Sequence, residues 1–267
     1  MVSKDIQIQT ETGEVMDWSE LDGIDFGDTG IEEVKPYFPN VKVVQGSSGM
    51  AGASKHGGHF WHSDSQEFSE DLDIVPMLRR ITSAVFIEGD NKPVCASNDG
   101  KFPLPDQRLW DGRTEIATGV GENVKHVDVP TPGVQPLSCA ACPFSKWPEG
   151  GGKPVCPESH VWLVNRGTDE HPDLAQLRLS GMSIGPMIAW VKREVKPRSL
   201  APFFYRLRLS NKEHVEGTRK WQDLVVESTR RTPREIRATG DLLNRYRAEF
   251  DDRPLVEPTK DAWEEEA

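Results

Sequence analysis

Apolar and polar positions along the chain predict a mostly β structure. Residues 41–44 form a short apolar run, and residues 72–87 hold two apolar runs separated by Arg79 and Arg80. Short apolar runs of this kind are typical of buried strands. Residues 124–129 alternate as a half-buried strand does, and residues 161–164 and 174–179 are further strand candidates. These segments favour a sheet as the main element of the fold.

A later strand is predicted at residues 203–209. Every second residue there is apolar, and the positions between them carry Phe204, Arg206 and Arg208. Since side chains alternate between the two faces of a strand, one face would be apolar and the other would carry arginines and an aromatic ring.

Two segments follow the period of a helix. After Ser183, a candidate N-cap, apolar residues recur at three- and four-residue intervals up to Val191. The second helix begins at Thr232, which forms a capping box with Glu235. Pro233 occupies the first helical position of that segment, where proline is tolerated. The predicted class is therefore α+β, mainly β with flanking helices.

Charge divides the 267-residue chain into three parts. Residues 1–40 carry ten acidic and two basic side chains, which predicts a partly flexible acidic arm. Residues 41–250 are expected to form the folded core, and residues 251–267 an acidic, flexible tail. No stretch approaches the ~20 apolar residues of a membrane span, so we expect a cytoplasmic protein without membrane contact.

The four cysteines are the strongest chemical signal. Cys139 and Cys142 form a C-x-x-C step, and Cys95 and Cys156 lie on either side of it. Four thiolates suit the tetrahedral coordination of zinc, so residues 95–160 are predicted to be a zinc-binding insertion with one structural Zn²⁺. His160 is an alternative to Cys95 as the fourth ligand.

Other uses of the cysteines remain open. The same residues could form two disulfides, although the chain opens with an acidic, polar segment that is unlike a signal peptide. A redox pair is a further alternative, but no thioredoxin-like unit surrounds the C-x-x-C step.

A glycine-rich segment contains His56, His59 and His62, close to Asp64. This spacing admits a metal or catalytic site, but the glycines oppose a helix that would align the rings. We expect instead that the loop presents Phe60 and Trp61 outward for stacking on a ligand. The alternative is that both rings cap the core.

The C-terminal half has an uneven charge distribution. Residues 192–247 hold fifteen Lys or Arg and seven Asp or Glu, whereas residues 248–267 hold eight acidic and two basic side chains. A local cationic groove can bind a phosphate backbone even in an acidic protein, because screening limits distant charges. Basic grooves lined with aromatic rings are typical of single-strand binders. The alternative is a solvated surface whose charges pair locally.

Two resemblances extend this interpretation. The acidic tail, which ends in Trp263, Glu264, Glu265 and Glu266, resembles those of bacterial and T7-type phage single-stranded DNA-binding proteins, where the tail recruits replication partners. Residues 93–100 read PVCASNDG, and CAACP with Trp147 and then Cys156 follow. This order resembles a group of tailed-phage and prophage proteins over residues 41–230. The resemblance implies an OB-like, zinc-stabilised barrel in a phage replication or recombination system.

The function expected from these observations is non-enzymatic binding of single-stranded DNA, with replication or recombination proteins as partners of the tail and a homo-oligomer possible. Alternatives are a metal-dependent nuclease or nucleic-acid-modifying enzyme that uses the histidine cluster, and a zinc-stabilised adaptor. The predicted nucleic-acid contacts are Phe60, Trp61, Arg79, Arg80, Lys146, Trp147, Lys192, Arg193, Phe204, Arg206, Arg208, Lys220 and Trp221.

Overall fold

Eleven strands and two α-helices are the main elements of the described part of the chain, with short 3₁₀ turns and one π-helical turn between them. The computed structural model describes residues 38–44, 55–87, 93–105, 107–118, 124–149, 153–216 and 219–252. In chain order the elements are β1 (Asn40–Val43), β2 (Phe60–His62), β3 (Phe68–Ser69), β4 (Leu72–Val85), β5 (Cys95–Ser97), β6 (Glu115–Thr118), β7 (Lys125–Asp128), β8 (Glu158–Asn165), β9 (Leu174–Ser180), α1 (Ile184–Trp190), β10 (Tyr205–Glu216), β11 (Arg219–Arg230) and α2 (Pro233–Asp252).

Nine of the described strands form one curled sheet. Its order is β11-β10-β4-β8-β9-β1-β2-β3, and β5 pairs with the far end of β4. Strands β1 and β9 pair in parallel, and the other neighbours are antiparallel. The hairpin β6–β7 is separate. The prediction of a mainly β, α+β fold is confirmed.

Strand β4 joins the main sheet to the cysteine-bearing segment. The two predicted apolar runs form one strand of 14 residues. Its start pairs with β10 and its end pairs with β5. The register against β8 shifts between Pro76 and Leu78. Proline lacks the N–H that a regular ladder needs, so a bulge at this point is expected.

Strand β8 is buried on both faces of the sheet. Trp162 and Val164 pack into a core beneath α1, together with Trp190. Val161 and Leu163 pack on the opposite face with α2 residues such as Phe250. Covering both faces explains why residues 161–164 form an unbroken apolar run. We refer to these two sides as the α1 face and the α2 face.

The predicted strand at residues 203–209 belongs to a longer hairpin. Tyr205, Leu207 and Leu209 are buried on the α1 face, as the alternation predicted. Phe203 and Phe204 lie just before the strand, in a 3₁₀ turn at Pro202–Phe204. All twelve residues of β10 pair with β11, a strand that the sequence pattern did not predict.

Both predicted helices are present. The Thr232 backbone N–H donates to Glu235 Oε2 at 2.6 Å, which confirms the capping box. Helix α2 continues to Asp252, two residues into the predicted tail. Beyond it, the tail lies outside the described residues, as does the acidic arm up to residue 37. Within the described residues, no helix is both long and apolar enough to cross a membrane.

Candidate metal centre and nucleic-acid interface

The four cysteines come together although 61 positions separate the first from the last. Cys95 lies on β5, and Cys139 begins a 3₁₀ turn at Cys139–Ala141. Cys142 precedes a second such turn, and Cys156 comes just before β8. All four side chains are thiols, and all four line one small cavity.

Backbone hydrogen bonds hold these segments against each other. The amide of Cys139 donates to the carbonyl of Lys101 at 2.8 Å, and the amide of Cys156 donates to Phe144 at 2.8 Å. The Ser145 hydroxyl lies 2.7 Å from the Cys139 carbonyl and 2.8 Å from the Cys142 carbonyl, within donating distance of both. The cavity is therefore fixed by main-chain contacts of the cysteines as well as by their side chains.

The predicted turn after Cys95 is present. The Asp99 carboxylate accepts hydrogen bonds from the amides of Phe102 and Lys101, and these bonds lower its pKa. Gly100 has a φ of +69°, a backbone conformation that residues other than glycine rarely adopt. A Cβ atom at Gly100 would lie 2.6 Å from Ile81 Cγ2, so the turn packs directly on β4.

The thiols influence one another electrostatically. Burial, with a smaller contribution from Cys142, raises the pKa of Cys95 to about 11. Burial and the neighbouring Cys95 raise the pKa of Cys156 to about 12. Thiols in this environment remain protonated unless a cation compensates their charge, and a coordinated metal supplies that charge.

Zinc itself remains a prediction. Among the described residues, no group of three or more histidine, cysteine or acidic side chains is arranged as a metal site. The shared cavity nevertheless favours Cys95 over His160 as the fourth candidate ligand. His160 does not line the cavity, and its Nε2 lies 2.5 Å from Glu158.

The histidine cluster is engaged in other contacts. His62 Nε2 lies 2.8 Å from Ser69 Oγ, and His62 Nδ1 lies 3.0 Å from the Arg166 guanidinium. Since Arg166 can only donate, His62 Nδ1 accepts and its Nε2 carries the proton. Burial and then Arg166 lower the pKa of His62, which favours the neutral ring. Asp64 binds Arg166 at 2.6 Å.

The other two histidines do not converge with His62 on a common point. His56 stacks on Phe68 with ring centroids 4.2 Å apart. His59 Nδ1 lies 3.1 Å from the carbonyl of His56. Among the described residues, these histidines are not part of any group of three or more side chains arranged to hold a metal ion.

Three of the predicted nucleic-acid contacts are core residues. Phe60 and Trp61 are 0% and 3% exposed, so the prediction that they point outward is wrong. They face opposite sides of a covered strand, as the core-capping alternative implied. Arg80 is 8% exposed and donates to the carbonyl of Phe250 on α2, so it acts as a structural contact.

The β10–β11 hairpin pairs two of its predicted cations with acids. Arg208 contacts Asp71, and Lys220 lies 3.5 Å from Glu213. These pairs favour the locally neutralised surface over an open cationic groove. Of the remaining predicted contacts here, Arg206 is half-buried, Phe204 packs against the α1-face core, and Trp221 stacks on His214.

The other predicted contacts are exposed but lie apart in the fold. Arg79 is exposed on β4, and its guanidinium lies 5.8 Å from the ring centroid of Trp162. Lys192 and Arg193 are exposed just after α1, where Arg193 binds Glu194 at 3.2 Å. Lys146 and Trp147 are exposed beside the cysteine cavity. The partner-binding residues Trp263 and Glu264 to Glu266 lie outside the described residues.

The sequence reasoning missed a second exposed aromatic beside the cysteine cavity. Phe102, which follows Lys101, is 60% exposed, and Trp147, which follows Lys146, is 70% exposed. The sequence contains the signal, because both are Lys-aromatic pairs next to a turn. Their relation in space follows from the hydrogen bond between the Cys139 amide and the Lys101 carbonyl, which the sequence does not give.

Comparisons of this chain with protein-family models, with curated proteins and with solved structures give no match.

Proposed function

We propose that this protein binds single-stranded DNA without catalysis, through a surface next to the cysteine cavity. The observation that carries the proposal is the pair of exposed Lys-aromatic steps, Lys101-Phe102 and Lys146-Trp147. Single-strand binders combine cations for phosphates with aromatic faces for bases, and these two steps offer both.

Both steps are attached to the turn that starts at Cys139. The Lys101 carbonyl accepts from the Cys139 amide, and the Cys139 carbonyl lies 2.7 Å from the hydroxyl of Ser145, the residue before Lys146. Exposed large apolar side chains on an ordered surface often mark an interaction site. Leu137, 92% exposed and two residues before Cys139, extends the same surface.

The proposal includes one structural zinc ion held by Cys95, Cys139, Cys142 and Cys156. This donor set suits tetrahedral Zn²⁺ and leaves no open position for chemistry. The metal would fix the turns that carry Lys101-Phe102 and Lys146-Trp147. With this function we also propose that the fold is an OB-like barrel. The observation that supports this proposal is the curled, β-rich sheet.

A role in a phage replication or recombination system follows from the sequence resemblance. The acidic tail would recruit partner proteins, with Trp263 as an aromatic anchor. His59, His62 and Asp64 already form hydrogen bonds within the protein. These bonds support a DNA-binding protein over a metal-dependent nuclease.

The test is a fluorescence titration with dT and rU oligomers and a DNA duplex at two salt concentrations. We expect the dT oligomer to bind most tightly, and binding to weaken with salt because counterions are released. Trp147→Ala and Phe102→Ala should each cost about 1–3 kcal/mol, the contribution of one stacked base.

Met182→Ala is the matched control, because Met182 is an exposed apolar residue (57%) outside the cysteine-bearing segment. It should bind as the wild type does. A preference for duplex, or equal losses in all three variants, would contradict the proposal.

A further inference from the structure

Trp110 is a buried tryptophan in the wall of the cysteine cavity. It ends the 3₁₀ turn at Arg108–Trp110, is 4% exposed, and lines the cavity together with the four thiols. Its ring centroid lies 5.7 Å from that of Phe144, within the apolar cluster that contains Cys95 and Cys142. The indole therefore belongs both to this cluster and to the surface that faces the sulfur atoms.

Hydrogen bonds on both sides of Cys95 hold it against the segment that carries Trp110. The carbonyl of the residue before Cys95 accepts from the Leu109 amide at 2.9 Å. The amide of the residue after Cys95 donates to the side-chain oxygen of Gln107. These two bonds attach strand β5 to the turn that ends at Trp110, so the neighbourhood of Cys95 and Trp110 is built into the fold.

The indole N–H of Trp110 lacks an acceptor. Its Nε1 is buried and forms no hydrogen bond within the described residues. An indole nitrogen is only a donor, and a buried donor without an acceptor costs free energy. Trp162 and Trp190 also have buried, unbonded indole N–H groups, but both lie in the apolar core of the α1 face. Trp110 differs from them because its cavity contains sulfur atoms, which can accept.

The indole N–H acts on the sulfur of Cys95. Burial and then Cys142 raise the pKa of the Cys95 thiol, and the Trp110 N–H opposes this rise, as a donor to a thiolate does. A neutral thiol is a weak acceptor, whereas a thiolate is charged and accepts strongly. The N–H therefore gains an acceptor when Cys95 is deprotonated, which is the form that binds a metal.

Cys142 obtains its donors from the backbone instead. Burial raises the pKa of its thiol, while the backbone N–H groups of Phe144 and Ser145 lower it. Both residues lie in the turn at Pro143–Ser145, so substitution of their side chains leaves these donors in place. The donor to Cys95 is a side chain, and a single substitution can remove it.

We infer that the Trp110 indole N–H donates a hydrogen bond to the Cys95 thiolate of the metal centre, and that Trp110 is a positioning residue of this centre. The inference rests on the proposed function, which includes the zinc ion, and adds to it a residue outside the four ligands. A donor to a ligating atom fixes the orientation of that ligand and tunes its basicity. Loss of such a partner typically weakens metal binding about 10–100-fold.

The experiment compares Trp110→Phe with wild type in the full-length protein, with Zn²⁺ and Co²⁺ as probes. Phenylalanine keeps an aromatic ring and removes the N–H. Competition with a chromophoric chelator should show that zinc affinity falls about 10–100-fold. In the Co²⁺ form, the sulfur-to-cobalt charge-transfer band should move to longer wavelength, because a sulfur without its hydrogen bond gives up charge more easily.

Trp190→Phe is the matched control. Trp190 is 1% exposed and its indole N–H is also unbonded within the described residues, but it packs in the α1-face core. Both variants remove the same atoms from a buried position, so both should lower the thermal midpoint. Trp190→Phe should keep the wild-type zinc affinity and Co²⁺ spectrum, whereas Trp110→Phe should change both.

A second measurement uses the wild type and does not depend on the folding of Trp110→Phe. In protein loaded with ¹¹³Cd²⁺, an indole proton should show a scalar coupling to cadmium through the N–H···S bond. Trp147 is the exposed tryptophan beside the cavity, at 70%. The coupling should persist in Trp147→Ala, which excludes this second indole as its source.

The outcomes distinguish this inference from the proposed function. If wild type takes up neither Zn²⁺ nor Co²⁺, the metal centre and the inference are both wrong. If wild type binds both ions but Trp110→Phe keeps the wild-type affinity and spectrum, or no indole proton couples to cadmium, the role of Trp110 is wrong and the metal centre stands. Equal changes in Trp190→Phe would also overturn the inference, since they would show a general effect of lost stability.

Discussion

The backbone amide of Cys139 donates to the carbonyl of Lys101 at 2.8 Å, across 38 positions of the sequence. This bond connects the turn after Cys95 to the C-x-x-C step. The described residues of the segment between them form a 3₁₀ turn at Arg108–Trp110, the short hairpin β6–β7 and a small apolar cluster that includes Leu109 and Trp110. Closing such a loop costs conformational entropy, which a metal bound to both ends would offset.

The first prediction is that the four cysteines bind one zinc ion that stabilises the fold. Cys142→Ser should lower zinc content and the thermal midpoint together, because metal binding and folding are coupled in such sites. In a chain of this size, each kcal/mol lost lowers the midpoint by about 2–4 °C. Metal analysis and calorimetry measure both quantities. Chelator treatment of wild type should reproduce the loss, whereas a metal-free variant of full stability would contradict the prediction.

The second prediction concerns Gly100. Gly100→Ala should destabilise the protein by about 2–4 kcal/mol, of which ~1–2 comes from a left-handed conformation and ~1–2 from the contact with Ile81. Gly133→Ala is the matched control. Gly133 also has positive φ (+78°), but a Cβ there meets no atom within 4 Å. Denaturant unfolding should show the larger loss at Gly100, and equal losses would refute the role of the Ile81 contact.

The sequence predicted a structural feature correctly where the residues that specify this feature all lie within one short segment. The run at residues 161–164, the capping box of Thr232 and Glu235, and the turn at Asp99-Gly100 all depend on nearby residues. Each appears in the structure as the sequence indicated. Local hydrogen bonds and side-chain spacing are sufficient to specify such features.

Burial and shared faces could not be predicted in the same way. Trp61 lies beside a glycine-rich segment, which suggested exposure, but pairing with β1 and β3 covers it. The strand containing Arg178 was predicted, yet its position opposite Lys42 follows from a parallel pairing between residues far apart in sequence. The register between strands that are distant in sequence determines which side chains are neighbours. The periodicity within a single strand gives no information about this register.

The third prediction is a pH dependence from His62. Its folded pKa is lowered below the ordinary 6.5, so the unfolded chain binds the proton more readily than the folded chain. The free energy of unfolding should therefore decrease as pH falls through 6.5, and level off below the folded pKa. Burial and Arg166 lower the pKa, while Asp64, Asp173 and Glu67 oppose this effect.

His62→Gln should flatten this pH dependence, measured as the free energy of unfolding between pH 5 and 8. His171→Gln, at an exposed position, is the control and should keep the wild-type profile. Identical profiles for His62→Gln and wild type would show that His62 titrates alike in the folded and unfolded chain.

The last prediction concerns the acidic tail, and the structure determines where to cut it. Helix α2 runs to Asp252, and Phe250 is fully buried with its carbonyl bound by Arg80. A chain that ends at Asp252 keeps these contacts and removes residues 253–267, which hold five acidic and two basic side chains. A tethered anionic segment competes with DNA at high effective concentration. Truncation should therefore raise the affinity for a dT oligomer, most strongly at low salt, where screening is weak.

A full-length variant with Glu264, Glu265 and Glu266 all replaced by Gln separates charge from length. It should show part of the same gain, because the competition is electrostatic. Trp263→Ala should leave DNA affinity unchanged if this ring serves a protein partner, as aromatic anchors often do. Titrations at low and moderate salt measure all three chains against wild type. Weaker DNA binding after truncation would mean that the tail contributes to the DNA-binding surface, and the competition model would then be wrong.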